Sequence, residues 1–178
     1  YHDKIKVKIK ATALNHLDIW VRKGLPGINI PLPLIMGSDA AGTIVEVGVD
    51  IDDFRIEDNI VIQPGTFDKS CDMVLSNKEN YSTTYGILGE TQDGVQSEYL
   101  TLPKQNISMM SNHLSFEEAA SMQLVFMTSY EMLVTRGNLK ENEFILIYGA
   151  TSGIGSSSIQ IAKDIGAKII TTVGSDEK

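Results

Sequence analysis

Residues 5–10 alternate without a break: Ile5, Val7 and Ile9 are apolar, and Lys6, Lys8 and Lys10 are charged. A period of two sends one set to each face, so the stretch predicts a strand with one wet face. Three further runs have strand character: Gly42-Thr-Ile-Val-Glu-Val-Gly48, Asn59-Ile-Val-Ile-Gln63, and Val95 to Leu102. Between them lie a possible short helix at 15–23, loops marked by Leu25-Pro26-Gly27 and Pro31-Leu32-Pro33, a turn-rich acidic stretch from Asp50 to Asp58, and a long polar lobe over 64–92.

From Ser115 the period changes. Ser115-Phe-Glu-Glu118 has the S-x-x-E pattern of a capping box, and helical spacing runs on to about Arg136, where Gly137 supplies the stop. Leu139 to Asn142 reads as a turn. Next come an apolar run (Phe144 to Tyr148), a glycine-rich turn (Gly149-Ala-Thr-Ser-Gly-Ile-Gly155), a helical pattern closed by Gly166, and a second apolar run from Lys168. Strand, turn, helix, strand is the βαβ unit that holds a dinucleotide. The fold class expected is therefore a β-rich domain over 1–112, followed over 113–178 by the first βαβ part of a doubly wound parallel sheet. Two parallel strands cannot bury both faces, and the chain enters a strand soon after Tyr1, so both ends read as cut from a longer enzyme.

The strict dinucleotide fingerprint is G-x-G-x-x-G. Here Gly149, Gly153 and Gly155 are spaced G-x-x-x-G-x-G, with Ala150 and Ser152 at the first two strict positions. A pyrophosphate is expected over the N–H groups of Gly153 and Ile154, at the positive end of the helix. The second strand ends in Val173-Gly174-Ser175-Asp176-Glu177-Lys178. Gly174 and Ser175 leave room and donors for a 2′-phosphate and Lys178 is a nearby cation, which favours NADP(H). Asp176 or Glu177 in a shifted loop would bind a ribose hydroxyl instead, which keeps NAD(H) open.

Composition removes several classes. The 178 residues are 42% hydrophobic and 21% charged, ordinary for a globular protein. A net charge of −8 argues against nucleic acid as a partner. No run of 18 apolar residues suggests a membrane span, and no signal peptide is visible. The single cysteine, Cys71, cannot form an internal disulfide and suits a reducing cytosol, so a cytoplasmic protein acting on a small molecule is expected.

Several strings together resemble the medium-chain dehydrogenase/reductases, which join a GroES-like domain to a Rossmann domain. They are Asn15-His-Leu-Asp-Ile-Trp-Val-Arg-Lys-Gly24, Gly37-Ser-Asp-Ala-Ala-Gly-Thr-Ile-Val-Glu-Val-Gly48, Phe126-Met-Thr-Ser-Tyr130, Tyr148-Gly-Ala-Thr-Ser-Gly-Ile-Gly155 and Gly166-Ala-Lys-Ile-Ile-Thr-Thr-Val-Gly174. The resemblance covers essentially the whole chain, and members of the family are usually about twice as long. It implies a homodimer or homotetramer. The zinc members of the family carry a catalytic zinc whose ligand positions fall here on Asn15, Ser38 and near Leu124, with the neighbouring glutamate position on Asp39. They also carry a four-cysteine structural zinc whose positions fall on Asp68, Cys71, Val74 and Ser82. These are poor zinc donor sets, so both zincs are expected to be absent, as in the quinone oxidoreductase branch, where asparagine also occupies the first position.

Without a metal, reduction of a quinone, an enone or another carbonyl suits the site better than oxidation of an alcohol. The candidate catalytic residues are Asn15, His16, Asp18, Ser38 and Thr128. Asn15 orients nicotinamide or substrate through its amide, and Thr128 falls where the family packs a threonine near the nicotinamide ring. His16 relays a proton or is structural, Asp18 orients neighbours or caps the short helix, and Ser38 fills a vacated ligand position. The candidate cofactor residues are Asn15, Thr128, Gly149, Ala150, Ser152, Gly153, Ile154, Gly155, Gly174, Ser175 and Lys178. Three other readings stay open: an alcohol dehydrogenase with an atypical metal site on His16 and Asp39, a short-chain dehydrogenase, and a non-catalytic NADPH-binding protein.

Overall fold

A computed structural model describes residues 2–76 and 78–175. The chain divides into two compact units, Tyr1–Gln123 and Leu124–Lys178.

In the first unit the alternating stretch forms β1 (Lys4–Ala13), with Ile5 and Val7 fully buried. Asn15 then starts α1 (His16–Lys23). Strand β2 (Asp39–Val47) begins three residues before the expected Gly42 and pairs antiparallel with β1, bringing Ala13 opposite Asp39. The rest follows as β3 (Asn59–Ile62), the short pair β4 (Gly65–Thr66) and β5 (Gly86–Ile87) around a one-turn α2 (Asp72–Leu75), then β6 (Tyr99–Pro103) and β7 (Ile107–Met109). The five-stranded sheet has the order β6-β1-β2-β3-β7. Its inner face holds one core, with Ile5, Val7, Ile44, Ile60 and Ile62 at the centre and Leu88 and Val95 of a long loop laid over it. Val95 to Glu98 was expected within a strand, but β6 starts only at Tyr99. The N–H groups of Val95 and Gln96 bond instead to the carbonyls of Gly37 and Met36, at 2.9 and 3.0 Å.

The single helix expected from Ser115 to Arg136 is three pieces: α3 (Phe116–Ala120), α4 (Gln123–Tyr130) and a π-helical turn over Glu131–Arg136. The start is as expected. Ser115 Oγ accepts from the Glu118 N–H at 3.2 Å, and the Ser115 N–H donates to Glu118 Oε2 at 2.8 Å. These Ser115 bonds hold the Glu118 carboxyl below its ordinary pKa. Ser121 interrupts the helix, because its hydroxyl bonds back to the Glu118 carbonyl at 2.7 Å and competes with the next turn. Ala119 and Ala120 are buried against Ala41 and Val61, so α3 docks on the sheet. Ser115→Ala is expected to destabilise this docking by about 1 kcal/mol, read as a lowered melting temperature.

In the second unit β8 (Phe144–Ile147) and β9 (Lys168–Thr171) pair in parallel, connected by α5 (Gly153–Ile165). Gly166 ends α5 at φ 83°, a left-handed conformation that glycine adopts without a Cβ penalty. Three hydroxyls join α4 to α5: Ser129 lies 2.7 Å from Ser157, and Ser158 donates to Ser129 at 3.1 Å. All three serines are buried, and their mutual bonds satisfy groups that would otherwise be costly there.

Candidate active site

The first unit brings together Asn15, Asp18, Ser38 and Asp39. Asn15 sits between β1 and α1, and its backbone N–H donates to Asp18 Oδ2 at 2.7 Å. Asp18 is the third helical residue and is buried, and its carboxylate closes a capping box on the N-cap residue Asn15. The Asn15 side chain donates from Nδ2 to Asp39 Oδ2 at 2.8 Å. Asp39 is only 1% exposed, and Ser38 beside it is fully buried with its hydroxyl donating to the Leu88 carbonyl at 2.8 Å. His16 is exposed, and its ring packs on Trp20 with centroids 5.0 Å apart. A cavity of about 610 Å³ opens between the end of α1 and the loop that follows, lined by Val21, Leu25, Pro26, Ile28, Leu34 and Met36 among others.

The segment at Gly37 is held from behind by the loop 88–95. Gly94 N–H donates to the Ile35 carbonyl at 2.7 Å, and the Gly89 and Gly94 backbones lie directly on Gly37. A Cβ on Gly94 would sit 2.1 Å from the Gly37 carbonyl oxygen. No sequence motif marks this packing. Its only trace in the sequence is a pair of glycines five residues apart in a polar loop.

In the lobe, Ser82 Oγ donates to Cys71 Sγ at 3.2 Å, and this bond first of all holds the thiol below its ordinary pKa. Asp68 accepts from the Ser70 N–H and hydroxyl at 2.9 and 2.8 Å, which holds its carboxyl low. Tyr85 and Glu90 are pushed the other way, mainly by burial.

The second unit carries the glycine-rich turn. Ser152 caps α5, its Oγ accepting from the Gly155 N–H at 2.9 Å and donating to the Gly149 carbonyl at 2.8 Å. The N–H groups of Gly149 and Ala150 have partners within the protein. They donate to Thr172, to Oγ1 at 3.1 Å and to the carbonyl at 3.0 Å, and so tie the turn to the end of β9. Gly153 and Ile154 are the first two helical residues, whose N–H groups have no acceptor within the helix. At 153 a Cβ would meet Val125 Cγ1 of α4 at 2.9 Å, a constraint in addition to the expected approach to phosphate. At 155 a Cβ would lie 2.1 Å from the Gly149 carbonyl oxygen. Gly174 and Ser175 are exposed, with open space where a Cβ on Gly174 would be. Lys178, Asp176 and Glu177 lie outside the described residues. Thr128 is on α4, and its hydroxyl donates to the Leu124 carbonyl at 2.7 Å, leaving its methyl as the group able to pack on a ring.

Comparison with known proteins decides the family. Residues 1–112 match the alcohol dehydrogenase GroES-like domain. The chain belongs to the medium-chain dehydrogenase/reductases. It is 32% identical to a zinc-type alcohol dehydrogenase-like protein of Schizosaccharomyces pombe, over 98% of this chain and 49% of that protein. A solved NAD-dependent alcohol dehydrogenase is 40% identical with a TM-score of 0.94, over 99% of this chain and 51% of the other. A quinone oxidoreductase of Pseudomonas syringae pv. Tomato DC3000 is 30% identical with a TM-score of 0.74, over 99% of this chain and 46% of the other. The chain thus spans about half the length of these relatives. Among the described residues no helix is long and apolar enough to cross a membrane.

The residues of this medium-chain dehydrogenase/reductase fit the two groups its family implies unequally. For a catalytic zinc, Asn15 turns its NH2 end to Asp39, Ser38 gives its hydroxyl proton to Leu88, and Leu124 has an alkyl side chain; a neutral amide, a hydroxyl and an alkyl group are not the usual ligands of zinc. Among the described residues no three His, Cys, Asp or Glu side chains cluster to hold a metal. In the lobe Cys71 meets Ser82, with Asp68 turned to Ser70. This donor set does not fit zinc. The turn over 149–155 does fit a dinucleotide, because Gly155 lets the helix start closely on the strand end and leaves the first N–H groups at an open rim.

Proposed function

We propose that this chain is the GroES-like catalytic domain (1–112) and the start of the nucleotide-binding domain (113–178) of an oxidoreductase. In this reading it reduces a quinone, an enone or another carbonyl with NADP(H), without catalytic zinc, as a homodimer or homotetramer. The observation that carries the reading is the bond from Asn15 to buried Asp39 at a position where zinc members have a ligand. An asparagine committed in this way polarises a carbonyl by hydrogen bonding, and its neutral amide is a poor ligand for a Lewis acid that would acidify an alcohol. A conjugated acceptor spreads the charge that develops and takes its proton from solvent. The apolar cavity beside α1 suits a substrate with a hydrophobic body.

When bound, the reduced nicotinamide supplies the hydride. The chain's own residues do the rest. The N–H groups of Gly153 and Ile154 hold the pyrophosphate, with Ser152 fixing the turn. Gly174 and Ser175 leave room for a 2′-phosphate that Lys178 neutralises. Thr128 packs on the ring through its methyl, and the exposed imidazole of His16 relays a proton. Asp18 and Ser38 keep Asn15 and Asp39 in place.

A second reading, an NAD(H)-dependent alcohol dehydrogenase, is favoured by the name of the solved relative at 40% identity. Fluorescence titration of the protein with NADPH and NADH, with zinc measured on the same sample, separates the two. Tighter NADPH binding with no stoichiometric zinc is expected. NADH preference with one zinc per chain would favour the second reading and return His16 and Asp39 to the list of ligands.

A further inference from the structure

We infer that Asp39 is a positioning residue that fixes the orientation of the Asn15 amide, and with it the direction of the second side-chain N–H; this rests on the proposed reductase reading. An asparagine amide has two ends of nearly equal shape, a carbonyl that accepts and an NH2 that donates twice, and rotation by half a turn exchanges them. Asp39 breaks that symmetry. A carboxylate only accepts, so the NH2 end must face it, and the 2.8 Å bond from Asn15 Nδ2 to Asp39 Oδ2 has this sense.

Neither partner is free to shift. Asp39 is 1% exposed and stands opposite Ala13 in the ladder between β1 and β2. Its neighbour Ser38 is tied to Leu88, and Gly37 is wedged against Gly94. The Asn15 backbone is held separately, by the Asp18 carboxylate on its N–H at 2.7 Å. One N–H of the Asn15 side chain is therefore spent on Asp39, and the second remains as a donor whose direction is set before any substrate arrives. A donor aimed in advance stabilises a developing oxyanion without reorganising during the reaction. Asp39 touches no reacting atom; it acts through Asn15.

The test uses Asp39→Asn, the exchange Asn15→Asp with Asp39→Asn, and Asn15→Leu, with menadione and NADPH as probes. In Asp39→Asn either amide can donate, so both orientations of Asn15 become populated. Its kcat is expected to fall about tenfold or more while KM for NADPH stays within about threefold and the melting temperature is nearly kept. The exchanged pair restores a carboxylate–amide bond with reversed polarity, so stability returns but kcat stays low, because residue 15 no longer carries a side-chain N–H. Recovery of kcat in the exchanged pair, or wild-type kcat in Asp39→Asn, overturns the inference.

A direct readout needs no turnover. The side-chain amide protons of Asn15, identified by their loss in Asn15→Leu, should include one shifted downfield by the carboxylate, and it should move back in Asp39→Asn. Absence of that shift in the wild-type protein overturns the positioning role. Presence of the shift in a protein that reduces menadione with neither nucleotide would uphold the Asp39–Asn15 latch and sink the reductase reading alone.

Discussion

Gly155→Ala is expected to weaken nicotinamide-nucleotide binding about tenfold or more while leaving the sheet of the first unit folded. The added Cβ would lie 2.1 Å from the Gly149 carbonyl oxygen, far inside any tolerable contact. That oxygen cannot retreat alone, since it already accepts from the Ser152 N–H at 2.9 Å and from Ser152 Oγ at 2.8 Å. Ser152 Oγ in turn accepts from the Gly155 N–H at 2.9 Å. The turn is thus a closed ring of hydrogen bonds, and relief of the clash moves the start of α5 off the strand end. Overpacking of this kind costs about 1–3 kcal/mol, and the N–H groups proposed to hold the pyrophosphate move with the helix. Gly153→Ala is the control. Its Cβ meets a Val125 methyl at 2.9 Å, a side chain able to rotate, so a smaller loss is expected. Titration of both variants with NADPH checks the order; a larger loss at 153 than at 155 would show that the ring is not what holds the turn.

Gly94→Ala is expected to destabilise the first unit by about 3 kcal/mol, lowering the melting temperature by about 6–12 °C. Everything around the new Cβ is main chain: the Gly37 oxygen at 2.1 Å, Gly89 Cα at 2.7 Å and the Met36 oxygen at 2.7 Å. No rotamer change relieves such contacts. The Gly37 oxygen also accepts from the Val95 N–H at 2.9 Å, so pushing the loop away breaks the seam that covers the core with Val95 and Leu88. Ser38 follows Gly37 and bonds to Leu88, so the displacement reaches Asp39 and Asn15. Differential scanning calorimetry gives the melting temperature, and a shift under about 3 °C would show that the loop can slide without cost.

Much of the fold was legible because its signals are local. Alternation in residues 5–10, the S-x-x-E box at Ser115 and the glycine stop at Gly166 each depend on residues within a few positions, and β1, α3 and α5 form where those signals stand. The helix from 116 to 136 broke because a serine hydroxyl returned to the preceding turn, a choice that helical spacing does not register. Gly153 and Gly155 look alike in sequence. Only packing separated them, one against Val125 of α4 and the other against the turn itself.

The candidate site divides in the same way. That Asn15 and Ser38 stand where the resemblance implies zinc ligands is a matter of residue type, and the sequence by itself determined those types, together with the order of the β-rich and βαβ regions. Tertiary structure alone decided what those residues do instead. Asp39 and Asn15 are 24 positions apart and meet only because β1 and β2 pair antiparallel, and Ser38 reaches Leu88 only because a loop 50 residues away folds over it. Residue type sets which chemistry is possible at a position. Which partner a buried polar group bonds depends on strand pairing and on close approaches of backbone that no local pattern encodes.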